Sequence, residues 1–331
     1  MRHNFFDEVE LLPHVRQVFG DHCQLVGVEP LKGGARKQVY VLQLAPTDQR
    51  CILYIWHDVN HYFADRDELD VTQSDDQAPR LFEVNTRFFQ TLGIHVPQLY
   101  AFGVLAAGHH FALVEHLGVQ NFTTFAEAAT PERQAQVLQQ IDTLLHRLNQ
   151  CQRSYPGTLL DSTSPWDMPC HEHTLRRALL ELDVVARTHA RIAEHAPVIR
   201  QRLQSMAAQL EPRTAYRMIH GELGPEHILI PAGTTAPSFI DLDGAHYFDV
   251  EAEHALLTVR FGDDLYTQFL TRADLELDPA RMAFYRLALY VSFVYAGSQF
   301  LASGYPDREW AEGLFDYNLK QVMAAIQIPF S

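Results

Sequence analysis

Lysine is almost missing from this sequence: only Lys32, Lys37 and Lys320 occur in 331 residues. Arginine does not make up the difference, since 26 basic residues face 41 acidic ones and leave a formal charge of −15. A surface of that sign repels nucleic acid and anionic membranes and favours a cationic or neutral small molecule. Cysteine is scarce as well. Cys23, Cys51, Cys151 and Cys170 lie far apart with no CxxC pair, which excludes a zinc knuckle or a small disulfide framework and fits reduced thiols in a cytoplasm. A secretory leader is not expected, because Asp7, Glu8 and Glu10 stand where its apolar core would lie. The most apolar late stretch, Leu287 to Ala302, is interrupted by Ser292, Gly297, Ser298 and Gln299 and is too short to span a bilayer, so a buried helix is expected. Internal repeats and low-complexity linkers are also lacking.

What is present is ample apolar material, 47% of the chain, in a length that suits two lobes. The first third reads mostly as strand. "HCQLVGVEPL", the turn "KGGARK", "QVYVLQLA", the turn "PTDQR" and "CILYIWHDV" follow one another as strand, glycine loop, strand, hairpin turn and strand. "PRLFEVNTRFFQTLG" then opens with Pro79, closes at Gly93 and spaces its apolar residues as a helix. A further strand pair, "VPQLYAFGVL" and "HFALVEHLG", completes a β-rich lobe. From Thr130, a capping residue followed by Pro131, the pattern turns helical, with Val137, Leu138, Ile141, Leu144, Leu145 and Leu148 forming one stripe. The expected division is a lobe over 1–118 and a helical lobe over 119–331, hinged at "VEHLGVQN".

The helical lobe holds the most informative stretch, "MIHGELGPEHILI" followed by "SFIDLDGAHYFD". Phosphoryl transfer asks a protein for a carboxylate that accepts the attacking hydroxyl's proton and for two side chains that hold a divalent ion on the nucleotide phosphates. Glu222 suits the base, His227 five residues on suits a first metal ligand, and Asp241 suits the second, after a hairpin turn marked by Pro231 and Gly233. Asp243 either assists the ion or caps the turn at Gly244, the second being the simpler reading.

At these residues the chain resembles the aminoglycoside phosphotransferase-like family, relatives of choline kinase and, more distantly, of protein kinases. Its members carry H-G-D-x-x-x-x-N before the hairpin and an I-D motif after it. "GGARKQVYVL" looks like the family's glycine loop, "EVNTRFFQTLGIHVPQLY" like its regulatory helix and following strand, and "LLHRLNQ" like its middle helix. The resemblance implies an α+β, bilobal, protein-kinase-like fold and transfer of the γ-phosphate of ATP or GTP, with Mg2+ or Mn2+, to a hydroxyl of an antibiotic or metabolite. It also implies that Gly33 and Gly34 cover the phosphates and that Glu83 is the helix carboxylate. His220 would orient the catalytic loop, and an acid in "FDVEAEH" would anchor it.

Three positions depart from the family. Glu222 replaces its aspartate and adds a methylene. His227 replaces its asparagine, a nitrogen ligand that shifts preference toward manganese. The strand lysine is replaced by Tyr54, so that Lys37, at the end of the glycine turn, is expected to reach the phosphates with Glu83 as its partner. A solvated turn lysine and a surface Glu83–Arg87 pair are the plain alternatives. A nucleotide-binding pseudokinase without turnover is the competing function. "CHEH" at 170–173 and "HDVNH" at 57–61 are read as incidental in a chain with 18 histidines.

Overall fold

The computed structural model describes residues 6–31, 37–56, 77–164, 168–269 and 275–327. Gly33, Gly34 and the "HDVNH" stretch therefore lie outside the described residues. The chain forms two units: the described residues of Met1–His61, Asp75–Val137 and Glu226–Asp243 make one, and those of Leu138–Pro225 and Gly244–Ser331 the other.

The first unit is built on an antiparallel sheet of β1 (Gln24–Pro30), β2 (Lys37–Ala45), β3 (Gln49–Trp56), β4 (Leu99–Val104) and β5 (His110–Glu115) in the order β1-β2-β3-β5-β4. Both faces are covered, so the central strands are apolar along their length; Cys51 to Trp56 are all buried. One face packs Leu42, Leu44, Leu53, Ile55, Phe111 and Leu113 against Leu11 and Val15 of α1 (Glu8–Phe19). Its opposite carries Val41, Ile52, Tyr54, Trp56, Ala112 and Val114, packed on Ala78 and Phe82 of α2 (Ala78–Thr91). The two-residue period of a strand decides which side chain goes to which face. By that rule Lys37, in step with Val39 and Val41, falls on the α2 side. α2 stops as expected, with Gly93 in the left-handed region (φ 64°) just beyond its end.

The same unit contains the short hairpin of β8 (Ile228–Leu229) and β9 (Ser238–Phe239), turned where Thr234 N–H donates to the Pro231 carbonyl. Phe239 N–H donates to His95 O and Ile230 N–H to Gln120 O, which ties the hairpin to the segments before β4 and after β5.

Helices dominate the second unit: α5 (Cys170–Thr188), α6 (Ala190–Ala207), α7 (Val250–Phe261), α9 (Pro279–Ala302) and α10 (Arg308–Gln327), with α8 (Asp263–Phe269) a short addition. The expected buried helix is α9, which packs on α5, α7 and α10. Its start follows from the sequence: Asp278 accepts from Ala280 N–H and Arg281 N–H, and Pro279 takes the first helical position. Phe284, Leu287, Val291 and Val294 are buried along it, each side chain stabilising the fold by roughly 1.5–3 kcal/mol. Among the described residues no helix is long and apolar enough to cross a membrane. A small sheet, β6 (Gln152–Arg153), β7 (Tyr216–Ile219) and β10 (His246–Phe248) in the order β10-β7-β6, carries the loop that begins at His220. α3 (Phe122–Ala128) and α4 (Pro131–Asn149) complete the described elements, Thr130 supplying the hydroxyl at the start of α4.

Candidate functional site

The expected metal ligands lie in the first unit and the expected base in the second. In the first unit, Lys37 opens β2 and its ammonium lies 2.5 Å from Asp241 Oδ1 and 2.5 Å from Asp243 Oδ1. Only 6% of its side chain is exposed. The rings of Tyr54, Phe82 and Trp56 surround the charge at 5.2, 5.7 and 5.8 Å from Nζ, near enough for cation–π attraction. Burial alone would push the ammonium's pKa down, but the two carboxylates, Asp241 ahead of Asp243, hold it above its ordinary value. Burial pushes the Tyr54 phenol up to about 12, and Lys37 pulls it back. Lys37 is thus a buried, paired cation rather than a solvated turn residue.

Two expectations are corrected here. Glu83 does not hold Lys37; it pairs with Arg87 one turn on, 3.1 Å away, and Arg87 is well exposed. Phe82 takes the position over the sheet, and the next residue lies roughly 100° further round the helix. What α2 contributes instead is Asn85, fully buried, whose Nδ2 donates to Leu242 O at 2.7 Å and fixes the backbone between the two aspartates. Asp243, read as a turn cap, sends its carboxylate to Lys37. The aromatic wall and Asn85 were not singled out as functional from the sequence, and Asp243 was weighed as an ion ligand but read as a turn cap. The Asp-x-Asp spacing was the signal that pointed to Asp243.

His227 follows a 3-10 turn at Pro225–His227, and its Nε2 lies 3.3 Å from Asp241 Oδ2. Its carbonyl accepts from Ile240 N–H, so the hairpin itself places His227 beside Asp241. Asp241 has a positive φ of 66°, which aspartate tolerates better than most residues and which commonly marks a working position. Among the described residues no three His, Cys, Asp or Glu side chains are arranged to hold an ion. The donor set nevertheless fits one: Asp241 and Asp243 converge on a single positive charge, and that charge is Lys37. A divalent ion there would be held by Asp241 and Asp243, while His227 lies against the other oxygen of Asp241.

In the second unit, β7 ends at Ile219 and the chain turns through His220, Gly221 and Glu222. His220 is fully buried, and its N–H and that of Gly221 both donate to Glu253 Oε2 on α7. Gly221 has a φ of 83°, and a β-carbon on it would come within 2.6 Å of Gly244 O. No other residue fits. Glu222 is half-buried and lies over Gly244, where an added β-carbon would stand 3.2 Å from its Cγ. Burial pushes the Arg260 guanidinium down, and Glu222 opposes that shift. Below the loop, Asp249 accepts from Arg281 Nη1 and from Tyr285 Oη, each at 2.6 Å. Cys170, His171 and His173 of "CHEH" are buried in the first turn of α5.

The loop anchor makes a test of pH dependence. Burial raises the Glu253 pKa to about 7 against the pull of the Gly221 and His220 N–H groups. Its neighbour His254, bonded through Nδ1 to Tyr266 Oη at 3.1 Å, is pushed down by burial to about 4. From pH 4.5 to 7 the folded protein keeps a proton on Glu253 that the unfolded chain has lost, so this group's contribution falls as pH rises. From pH 6.5 down to 4 the unfolded chain takes a proton on His254 that the fold excludes, so stability falls as pH drops. The two slopes oppose, each amounting to about 3 kcal/mol over its window. Urea unfolding of Glu253→Gln should show stability lost toward acid between pH 6.5 and 5, and His254→Gln the reverse. Slopes of the same sign in the two variants would refute the assignment.

No curated protein matches the chain by sequence. Among solved structures, the GDP complex of a mutant aminoglycoside 2′-phosphotransferase-IIIa is similar with a TM-score of 0.64 at 14% identity, covering 97% of this chain and 100% of that one. The GDP and kanamycin complex of APH(2″)-IIIa gives 0.62 at 15%, over 97% and 100%. A thermostable mutant of APH(4)-Ia with ADP and hygromycin B gives 0.62 at 13%, over 95% and 98%. At such identities these likenesses establish the fold, which is the expected α+β kinase-like one. The sequence pattern of the phosphotransferase enzyme family matches residues 27–285, and the chain belongs to that family.

Proposed function

We propose that the protein is a kinase of small molecules that moves the γ-phosphate of ATP or GTP to a substrate hydroxyl, with 1–118 as the nucleotide lobe and 119–331 carrying the catalytic loop. The hairpin, expected in the second lobe, groups instead with the first unit over Glu226–Asp243. The observation that carries the reading is Lys37, a buried ammonium held against Asp241 in a chain whose third strand has Tyr54 in place of lysine. A phosphate-binding cation has been kept although its usual position was lost. The nucleotides and aminoglycosides in the similar structures support the substrate classes, and the net charge of −15 favours a cationic acceptor such as an antibiotic or a metabolite.

In the reaction the acceptor oxygen attacks the γ-phosphorus, the bond from that phosphorus to the β-phosphate oxygen breaks, and the nucleoside diphosphate leaves. Glu222 takes the acceptor's hydroxyl proton. His220 and Glu253 hold the loop on which Glu222 stands. Lys37 neutralises charge on the α- and β-phosphates, and Gly33 and Gly34, outside the described residues, are assigned to the same phosphates by the family resemblance alone. Asp241, expected to act with His227, would hold Mg2+ or Mn2+ together with Asp243, while His227 stands against the other oxygen of Asp241. The ion would supply charge neutralisation and alignment of the phosphates. Glu83, turned to Arg87, has no part in this scheme.

Thermal unfolding with ATP or GTP and either metal tests the reading. The wild type should be stabilised by at least one combination, and Lys37→Ala should weaken that nucleotide's affinity at least tenfold, about 1.4 kcal/mol. An unfolding temperature unmoved by every combination refutes nucleotide binding.

A further inference from the structure

Lys37 makes three kinds of contact at once: two carboxylates at 2.5 Å, three aromatic rings within 5.8 Å, and the backbone ladder that pairs its own residue with Trp56. The ladder fixes where the side chain starts, while its four-carbon stem leaves the ammonium free to move among partners. The ammonium sits at the point on which Asp241 Oδ1 and Asp243 Oδ1 converge. A divalent ion bound by both oxygens would have to stand at that point, and two cations cannot share it without strong repulsion. This also gives a physical reason why no three-ligand cluster occurs among the described residues: one oxygen of each aspartate serves Lys37, and His227 stands beside the other oxygen of Asp241.

We propose that Lys37 is the resident counter-ion of the Asp241–Asp243 pair and that a divalent ion binds by displacing it, so that bare metal binds weakly and metal binds well only with a nucleotide. The phosphates receive the released ammonium, and the ion takes its place between the carboxylates. Nucleotide and metal thus enter as one event, and the nucleotide-free protein keeps its acidic pair neutralised from within. This inference rests on the proposed function, because it assigns the same lysine and aspartates to phosphates and metal.

Two measurements decide it. Binding of Mn2+ alone, followed by the electron paramagnetic resonance of the free ion at pH 8, should be weak in the wild type and at least about tenfold tighter in Lys37→Met, since the variant keeps the stem and loses the competing charge. The same variant should bind the Mn2+–nucleotide complex more weakly than wild type, an opposite sign that a general loss of structure would not produce. Equal Mn2+ affinity in the two proteins, with nucleotide binding intact in the wild type, overturns the inference and leaves the proposed function standing. Failure of the wild type to bind Mn2+–ATP or Mn2+–GTP overturns both.

The second measurement needs no variant. With three lysines in the chain, lysine labelled with 13C at Cε gives three signals, and that of Lys37, inside the aromatic wall, should be displaced by ring currents from that of exposed Lys320. Saturating Mg2+–nucleotide should move the Lys37 signal out of the ring-shifted region. A signal that stays in place at saturation shows that the ammonium does not leave, and overturns the inference even if Lys37→Met fails to fold.

Discussion

Arg281→Met is expected to cost the fold about 3–5 kcal/mol, the usual penalty when one member of a buried ion pair is removed and its partner is left charged. Arg281 and Asp249 expose 5% and 1% of their side chains. The guanidinium also donates to Glu211 O, tying the chain before β7 to α9. Arg213 lies 3.9 Å from Asp249 Oδ1, too far for a direct hydrogen bond, and its guanidinium is engaged with Glu251. Tyr285 alone cannot satisfy the orphaned carboxylate. Tyr285→Phe, which removes one neutral donor and leaves the ion pair, should cost only about 1–2 kcal/mol. Urea unfolding of the two variants checks the ranking; equal losses would mean that the pair carries no charge-specific role.

Glu222→Gln should reduce phosphate transfer by about 100-fold to 10,000-fold while nucleotide affinity changes by less than about twofold. The amide has the shape of the acid but cannot accept the hydroxyl's proton. The ion and the phosphates are assigned to other side chains, so binding should not follow turnover. Asp241→Asn supplies the contrast, since it should weaken metal-dependent nucleotide binding. Single-turnover kinetics beside calorimetry on the same preparations separates the two effects. Retention of full transfer by Glu222→Gln would remove Glu222 from the base role.

The strands, α2 with its glycine stop and the buried helix α9 were all legible, because each is set by local period and punctuation. Both faces of the first sheet are covered, yet its strands could still be read from β-branched and aromatic runs bounded by turns. Partners were harder. Lys37 and Asp241 are 204 positions apart, and nothing local says which carboxylate a lysine at the start of β2 will meet. Glu83 was the nearer guess on family grounds, and it failed on a matter of one residue's angle around a helix. Asp243 was hidden by its own plausibility as a turn residue: an aspartate before glycine reads as a cap unless the charge across the sheet is known. Asn85, an uncharged side chain in mid-helix, gave no signal at all. The buried anchor Glu253 was read as scaffold, and its bonds to His220 and Gly221 agree with that reading.

The contact of Gly221 with the Gly244 carbonyl bears on how the glutamate at 222 is accommodated. Main chain meets main chain there, so the gap between the two segments is a spacer of constant thickness that no side chain can tune. A loop backed against such a spacer cannot withdraw to make room for an extra methylene, about 1.5 Å of additional reach. The room is found sideways, in the trough left by the missing side chain of Gly244, along which Cγ and Cδ of Glu222 lie. Residues 222 and 244 are therefore not free to vary separately. A methyl group at 244 would fill the trough while glutamate is present and would be far less obstructive beside an aspartate, so the energetic cost of a substitution at either position depends on the residue at the other.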